Sequence, residues 1–211
     1  MKGFAQAVVS TPILALAAGC AAMSANAQDD ADPNFGPAPV QEGSLDPHAA
    51  GRHGQHHPLP DLPATVDLEG TFLAPDGTEN GEVRIAQTPN GLLLRIDVGG
   101  VAHGFHGVHL HETGLCEPEE DFKTAGGHAN PTGAEHGFLP EGGSHLGDLP
   151  NAYAHEEGHI RTDLFKEGAR LADLQDADGF AVMVHSGADD YRSQPSGDAG
   201  SRVACAAFPG Q

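Results

Sequence analysis

Histidines are concentrated in one polar stretch of the chain, between His106 and Asp148. Six of the fourteen histidines lie there, in sequence rich in glycine and proline, together with one of the three cysteines. The stretch has too few apolar residues to form a hydrophobic core, and long loops inside compact domains are usually functional. Because imidazole nitrogen and carboxylate oxygen are common ligands of zinc and copper, we predict that metal ions hold this loop in place.

The types and spacing of these residues are typical of metal ligands. His109 and His111 are two residues apart, and on a strand such residues point to the same face. Asp148 follows His145 by three residues, which is close enough for both to bind one ion. The candidate ligands are six histidines and one aspartate, namely His109, His111, His128, His136, His145, Asp148 and His185. Seven ligands are sufficient for two metal ions.

The elements that must position these ligands are predicted to be β-strands. Strand-like segments from Ala64 onward are separated by Asn-Gly and Asp-Gly turns, which are typical of antiparallel hairpins. We predict strands at 64–73, 81–87, 92–100, 153–165, 169–174, 179–185 and 201–208. No segment shows convincing helical periodicity. Many short strands with glycine-rich turns indicate a single β-sandwich or barrel.

Five blocks of the sequence resemble the signature blocks of the copper/zinc superoxide dismutases. In chain order they are HGVHLHETGLC, AGGHANPTGAEHG, HLGDLPN, VMVHSGADDY and PSGDAGSRVACA. The resemblance covers residues 64–211, which we predict to be one domain. It implies an eight-stranded antiparallel Greek-key β-barrel of immunoglobulin-like architecture, with long metal-binding and electrostatic loops. Val108 departs from the pattern, because the family has an aromatic residue there, and we interpret this as a packing change.

The resemblance also implies a ligand set for one copper and one zinc per chain. Copper is expected at His109, His111, His128 and His185, and zinc at His128, His136, His145 and Asp148. His128 is then expected to bridge both ions through its two ring nitrogens, with both ring protons replaced by the cations. Asp189, preferred over Asp190 by spacing, is expected to link a copper ligand to a zinc ligand. His106 is expected to hydrogen-bond backbone near the ligands without binding metal.

The activity that the resemblance implies is dismutation of superoxide to dioxygen and hydrogen peroxide, by alternate reduction and reoxidation of the copper. Arg202 is expected to border the copper and hold the anion, because a guanidinium stays charged and offers several donors. The alternative is a periplasmic copper- and zinc-binding protein that buffers or delivers metal without significant turnover. Such a protein would be expected to lack a copper ligand or the arginine, and this chain lacks neither.

The first 27 residues have the form of a secretory signal peptide, with a lysine, an apolar run and then Ala25-Asn26-Ala27. We predict cleavage after Ala27 and a periplasmic or secreted protein. The alternative is a lipoprotein signal in which Cys20 is lipidated and anchors the protein to the membrane, although Ala17 stands where leucine is usual. The apolar run is short and rich in small residues, so a membrane span is not predicted.

Two cysteines remain once the signal peptide is removed, Cys116 and Cys205. In an oxidising compartment such a pair most simply forms a disulfide. The bridge is predicted to tie the ligand loop to the last strand. In the chain-entropy model a loop of this size contributes about 4 to 5 kcal/mol.

Residues 28–63 are predicted to be a disordered or extended arm. The segment is poor in branched aliphatic residues and rich in proline, glycine and aspartate, so it buries too little apolar surface to offset its chain entropy. It carries His48, His53, His56 and His57. One interpretation is an arm that collects copper or zinc for the site, since histidine-rich tracts bind metal. The other is a solvated linker.

The net charge of −20, with only ten lysines and arginines, argues against binding to nucleic acid or to an anionic membrane surface. A negatively charged substrate such as superoxide therefore needs local positive charge, which the metals and Arg202 are expected to provide. The sequence does not distinguish a monomer from a homodimer.

Overall fold

The structure, a computed structural model, describes residues 66–210. The predicted signal peptide with Cys20, and the arm with its histidines at positions 48–57, lie outside the described residues. Among the described residues, none of the helices is long and apolar enough to span a membrane.

The described part of the chain is an all-β, antiparallel fold, as predicted. Its strands are β1 (Leu68–Leu73), β2 (Glu79–Thr88), β3 (Gly91–Gly99), β4 (Gly104–His106), β5 (Val108–His111), β6 (Ala152–Ala154), β7 (His159–Glu167), β8 (Phe180–His185) and β9 (Arg202–Phe208). Seven strands form one sheet in the order β5-β8-β9-β1-β2-β3-β7, and β4 pairs with β6 in a separate ribbon.

The ribbon connects the two edges of the curled sheet. Only Gly107 separates β4 from β5, so the ribbon continues the edge of the sheet that β5 forms. At the ribbon's other strand, β6 leads through a turn at Gly158 into β7, which is the opposite edge. The break at Gly107 also explains why nine short strands are present where the resemblance implied eight.

The main core lies on the inner face of the curled sheet. Alternate residues of β3 are fully buried there, namely Leu92, Leu94, Ile96 and Val98. This alternation follows from the two-residue period of a strand, with one face on the core and the other facing outward.

Strand β8 is buried along its whole length, since β5 and β9 flank it in the sheet. On one face Val182 and Val184 belong to the main core, and on the other Ala181 and Met183 pack under the loop that follows β5. Coverage on both faces explains the continuous apolar run that ends at His185. This histidine is therefore held at the end of a rigid strand, next to the edge strand β5.

A disulfide joins Cys116 to Cys205, with their Cα atoms 5.8 Å apart, and this prediction is confirmed. Cys116 lies in the loop after β5, and Cys205 is fully buried on β9. The bridge therefore attaches the loop to the central part of the sheet.

The strand predicted at 169–174 was wrong, because this segment contains a 3₁₀ helix, Leu171–Asp173. Leu171 and Leu174 both turn toward the core, at a spacing of three residues that suits a 3₁₀ turn and not a strand. The amide of Leu171 donates to the Gln87 side chain at 2.8 Å, a partner remote in sequence. The segment predicted as one strand at 153–165 is divided between β6 and β7 by a turn.

Candidate metal centre

Three of the candidate ligand histidines lie on two strands of the sheet. His109 and His111 lie on β5 and are at most 1% exposed, while Leu110 between them points into the main core. The backbone amide of His185, at the end of β8, donates to Gly107 O at 2.9 Å, directly before β5. This places His185 beside the paired histidines, with its ring centroid 4.8 Å from that of His109.

The loop between β5 and β6, residues 112–151, which we call the metal loop, folds back along the free edge of β5. Isolated bridges set His128 opposite His111 and Asp148 opposite His109. Main-chain hydrogen bonds from Ala129 to Leu110 at 2.8 Å and from Leu110 to residue 147 at 2.9 Å hold this arrangement. Backbone pairing therefore brings the loop's candidate ligands to the strand's ligands.

Four buried imidazole nitrogens converge at one end of this arrangement. Their candidate ligand atoms lie within 4.8 Å of one another. In the described part of the chain each of these four nitrogens is buried without a hydrogen-bond partner: His109 Nδ1, His111 Nε2, His128 Nε2 and His185 Nε2. Buried polar atoms are rarely left unpaired, and such a cluster suits a metal ion. We call these four residues the first cluster.

The other ring nitrogen of each histidine in the first cluster is held by an oxygen. Asp189 Oδ2 lies 2.8 Å from His109 Nε2, and Asp148 Oδ1 lies 3.0 Å from His128 Nδ1. The main-chain oxygen of Gly126 lies 3.0 Å from His111 Nδ1, and that of Gly200 lies 3.2 Å from His185 Nδ1. A proton on the nitrogen that faces the oxygen leaves a lone pair on the nitrogen that faces the cluster. For His109, His111 and His185 the protein thus fixes the ring and its tautomer for metal binding.

Burial also keeps three of these rings neutral. It lowers the pKa of His109 to about 4, although the hydrogen bond with Asp189 opposes the shift. Burial lowers the pKa of His185 to about 3, with further repulsion from His109, and the pKa of His111 lies well below its ordinary value. Neutral imidazoles at physiological pH have lone pairs available for a metal.

A second cluster forms around one carboxylate oxygen, Asp148 Oδ1. The Nδ1 atoms of His128, His136 and His145 lie 3.0, 2.9 and 3.3 Å from it. Asp148 Oδ2 accepts backbone hydrogen bonds from Gly137 at 2.8 Å and from His145 at 2.9 Å. Three imidazole nitrogens and a carboxylate oxygen are a donor set typical of zinc.

Asp148 is held in its ionised form. Burial acts to raise its pKa. The hydrogen bonds with His128 and the Gly137 amide, together with the electrostatic effect of the nearby histidines, outweigh burial and hold the pKa well below its usual range. The carboxylate is thus charged and ready to bind a cation.

His128 belongs to both clusters. Its Nδ1 lies at Asp148, whereas its Nε2 is one of the unpartnered nitrogens of the first cluster. The two nitrogens of an imidazole point in different directions, so one ring faces two adjacent sites. The geometry is therefore suited to two metal ions that share this ligand.

Asp189 joins the two clusters a second time. Its Oδ2 lies 2.8 Å from His109 Nε2, and its Oδ1 lies 3.1 Å from His136 Nε2. Asp190, the other candidate considered from sequence, is exposed and bonds to Ser193. Asp189 is therefore the aspartate that connects one cluster to the other.

Arg202 lies at the start of β9, opposite His185 in the strand register. Its guanidinium donates to the main-chain oxygens of Phe122 and Gly126, the latter at 2.6 Å. It lines a cavity of about 550 Å³ that His111, His128 and His185 also line. Positive charge is thus fixed beside the first cluster.

His106 and Val108 are both buried and lie next to the ligands on β4 and β5. His106 Nδ1 lies 2.6 Å from His185 O, and its Nε2 lies 2.7 Å from Ala102 O, so the ring holds backbone beside a ligand. Val108 packs in the main core. Of the histidines outside the clusters, His103, His155 and His159 are exposed.

Two side chains at the site were not singled out from the sequence. Asn151 forms two hydrogen bonds with the backbone of Asp189, each 2.8 Å long. Gln194 bonds the backbone of His136, accepting from its amide at 2.8 Å and donating to its carbonyl at 3.0 Å. Asn151 ends a signature block, but its contacts are to main-chain atoms, and residue type alone does not reveal these.

Comparisons with known proteins agree with this geometry. A family model described as copper/zinc superoxide dismutase matches residues 79–208, which include both clusters. The chain is 39% identical over 140 residues to a Cu-Zn superoxide dismutase of Caulobacter vibrioides, covering 63% of this chain and 79% of that protein. It is 36% identical over 152 residues to Cu-Zn superoxide dismutase 2 of Aquifex aeolicus, covering 69% and 85%.

A solved structure has the same fold. The crystal structure of a SOD-like protein from Bacillus subtilis superposes with a TM-score of 0.62 at 33% sequence identity, covering 66% of this chain and 96% of that chain.

Proposed function

Since this chain belongs to the copper/zinc superoxide dismutase family of oxidoreductases, we propose that it converts two superoxide anions and two protons into dioxygen and hydrogen peroxide at the centre that the two clusters form. The observation that carries the proposal is the set of four buried imidazole nitrogens that have no hydrogen-bond partner among residues 66–210, beside a fixed arginine. The metals of the family are copper and zinc, and both suit the donors present.

The two metals are assigned by the donors of each cluster. Copper would be held by His109, His111, His128 and His185, and zinc would be held by His128, His136, His145 and Asp148, with one ion of each per chain. An all-imidazole site suits copper, whereas three imidazoles and a carboxylate suit zinc. His128 would then be a ligand of both ions.

Copper, when bound, supplies the electron transfer by alternating between Cu(II) and Cu(I), whereas zinc has no redox chemistry. The protein's own contribution begins with Arg202, whose charge attracts and orients the anion. Its bonds to Phe122 and Gly126 use two of the five N–H donors of a guanidinium, and the remaining donors can bind superoxide.

His128 is placed to deliver a proton. Its Nδ1 stays at the Asp148 side, and its Nε2 can hold a proton when that nitrogen is free. Because His128 and Arg202 line one cavity, a proton at Nε2 would be delivered into the cavity that holds the anion. The second proton comes from water.

The zinc side keeps His128 and the metal loop in place. Asp189 connects His109 to His136, so a rotation of either ring is resisted by the other cluster. Positioned rings and a fixed charge cost no rearrangement during turnover.

The proposal is tested by loading the metal-free protein with zinc alone and then with zinc and copper, and measuring superoxide dismutation at each stage. We expect activity only after copper binds, with about one copper and one zinc per chain, and loss of activity when copper is removed. Full occupancy of both sites without turnover would overturn the proposal and favour the metal-buffer alternative.

We also propose that the protein acts in the periplasm or outside the cell. The disulfide supports this, because such bonds persist in oxidising compartments and are rare in reducing ones. Fractionation of cells that express the full chain tests the location, and Cys20→Ser tests the anchor. Release from the membrane by Cys20→Ser would favour the lipoprotein alternative, whereas a soluble parent cut after Ala27 would contradict it.

A further inference from the structure

A lysine outside the ligand set contacts the backbone of two proposed zinc ligands. Lys166, on β7, places its Nζ 2.7 Å from the main-chain oxygen of His145 and 3.0 Å from that of Asp148. The same Nζ lies 3.1 Å from Ser144 Oγ. An ammonium has three N–H donors, so these three oxygens use all of them.

The contacts hold both ends of one short turn. The amide of Asp148 donates to His145 O at 3.3 Å, which closes the turn between the two ligands. Because Lys166 donates to the carbonyls at both ends, it limits how far the two side chains can separate. Its anchor is rigid, since β7 pairs with β3 along its whole length.

The ammonium is itself held in place by an aromatic ring of the metal loop. Nζ lies 5.4 Å from the centroid of the Phe138 ring, within the range of a cation–π contact. On the loop between β8 and β9, Tyr191 packs against Phe138 with ring centroids 5.3 Å apart. Lys166 is partly buried in this arrangement, and its side chain is therefore preorganised to donate to the turn.

We propose that Lys166 is a positioning residue for zinc, which slows zinc release by fixing the turn that carries His145 and Asp148. The inference rests on the proposed zinc ligand set. Lys166 binds no metal in this account, and it acts only through the carbonyls of the two ligand residues. It lies outside the five sequence blocks that resemble the family, and no motif indicates it.

The test is zinc transfer from the disulfide-intact protein to a chromogenic chelator, compared for the parent, Lys166→Met and Lys166→Arg. Methionine keeps the apolar stem and removes the donors, whereas arginine keeps donors. Loss of a group that orients metal ligands typically weakens metal binding by about 10- to 100-fold. We expect zinc release from Lys166→Met to be faster by about this factor, with partial rescue in Lys166→Arg.

The matched control is Lys123→Met, which removes the same charge at an exposed lysine that pairs with Asp121. It should release zinc at the parent rate. A second readout is the visible spectrum of Co(II) in the zinc site, which reports ligand geometry. We expect this spectrum to change in Lys166→Met and not in Lys123→Met. The unfolding temperature of each metal-free variant shows whether a change in release reflects the turn or the whole fold.

Equal release rates and Co(II) spectra for Lys166→Met and the parent would overturn the inference, as would equally fast release from Lys166→Met and Lys166→Arg. If Lys166→Met does not fold, Lys166→Leu, which also removes the donors, is used with the same criteria. Asp148→Asn separates the two proposals. If Asp148→Asn keeps zinc at the parent affinity, the proposed ligand set is wrong. If Asp148→Asn loses zinc but Lys166→Met releases zinc at the parent rate, only the positioning role of Lys166 is contradicted.

Discussion

At the residue scale, the chemistry depends on the ring nitrogens that the protein leaves unpaired. Each histidine of the first cluster has one nitrogen held by an oxygen and one aimed at its neighbours. The buried carboxylates of Asp148 and Asp189 form hydrogen bonds with the histidines and so connect the two clusters. The site is therefore shaped for cations before any cation binds.

Arg202→Ala is predicted to lower kcat/KM for superoxide dismutation by about 10- to 100-fold, because fixed positive charge raises the local concentration of an anion. The copper and zinc content should stay near that of the parent, since Arg202 contacts carbonyl groups and no proposed ligand side chain. Pulse radiolysis or stopped-flow assays measure the rate.

Arg192→Ala is the control for this prediction, because it removes the same charge from an exposed position in the loop between β8 and β9. Its rate should remain close to that of the parent. Equal rates for Arg202→Ala and the parent would contradict the role of the guanidinium.

The sequence indicated well which side chains lie together, because histidines and an aspartate at these spacings are typical of metal sites. The structure brings all seven candidates into two clusters, with Asp189 and Arg202 beside them. Lys166, Asn151 and Gln194 could not be found in this way. Their partners are main-chain atoms far away in sequence, and such contacts leave no trace in residue type.

At the element scale, the site depends on how the metal loop pairs with β5. The loop returns to the strand at two points, and Gly147 lies where the two backbones come closest. A Cβ atom at this position would lie 2.1 Å from Leu110 O and 3.0 Å from Ala129 N. Only glycine fits, so this residue sets the distance between the loop and the strand.

Gly147→Ala is predicted to lower the free energy of unfolding by about 1 to 3 kcal/mol, because overpacking forces the backbone to shift. Zinc content should fall as well, since Asp148 is the next residue. Urea unfolding of the metal-free protein and metal analysis of the loaded protein provide the measurements.

Gly99→Ala is the matched control for the same substitution, because a Cβ there would meet nothing closer than Asn80 O at 3.8 Å. If Gly147→Ala is as stable as Gly99→Ala, the close approach of the loop does not constrain the fold.

Strand prediction succeeded where the apolar pattern alternates or is continuous, as in β3 and β8. It failed at 169–174, where a 3₁₀ helix is present, because the Leu171 amide bonds to a glutamine more than eighty residues earlier. Local pattern carries no information about such a partner.

At the scale of the whole molecule, a disulfide bond cross-links the metal loop to the sheet. The disulfide spans 89 residues and joins the metal loop at Cys116 to β9 at Cys205, three residues after Arg202. It therefore restrains the loop in the folded protein and the chain in the unfolded protein.

The double variant Cys116→Ser/Cys205→Ser is predicted to lose about 2 to 5 kcal/mol of unfolding free energy, because removal of a native disulfide frees the unfolded chain. Urea unfolding of the metal-free protein measures this difference, with the reduced parent as a second sample. The reduced parent should resemble the variant. A variant as stable as the oxidised parent would show that the bridge does not stabilise the fold.

The account requires above all that His128 is shared by two metal ions. This is tested by electron paramagnetic resonance of the protein with Cu(II) in the first cluster and Co(II) in the second, compared with Cu(II) and Zn(II). A shared imidazolate couples the spins of the two paramagnetic ions. We expect the copper signal to be lost or strongly broadened with cobalt and to be normal with zinc. An identical copper signal with either partner would contradict a shared His128 and the two-metal centre proposed here.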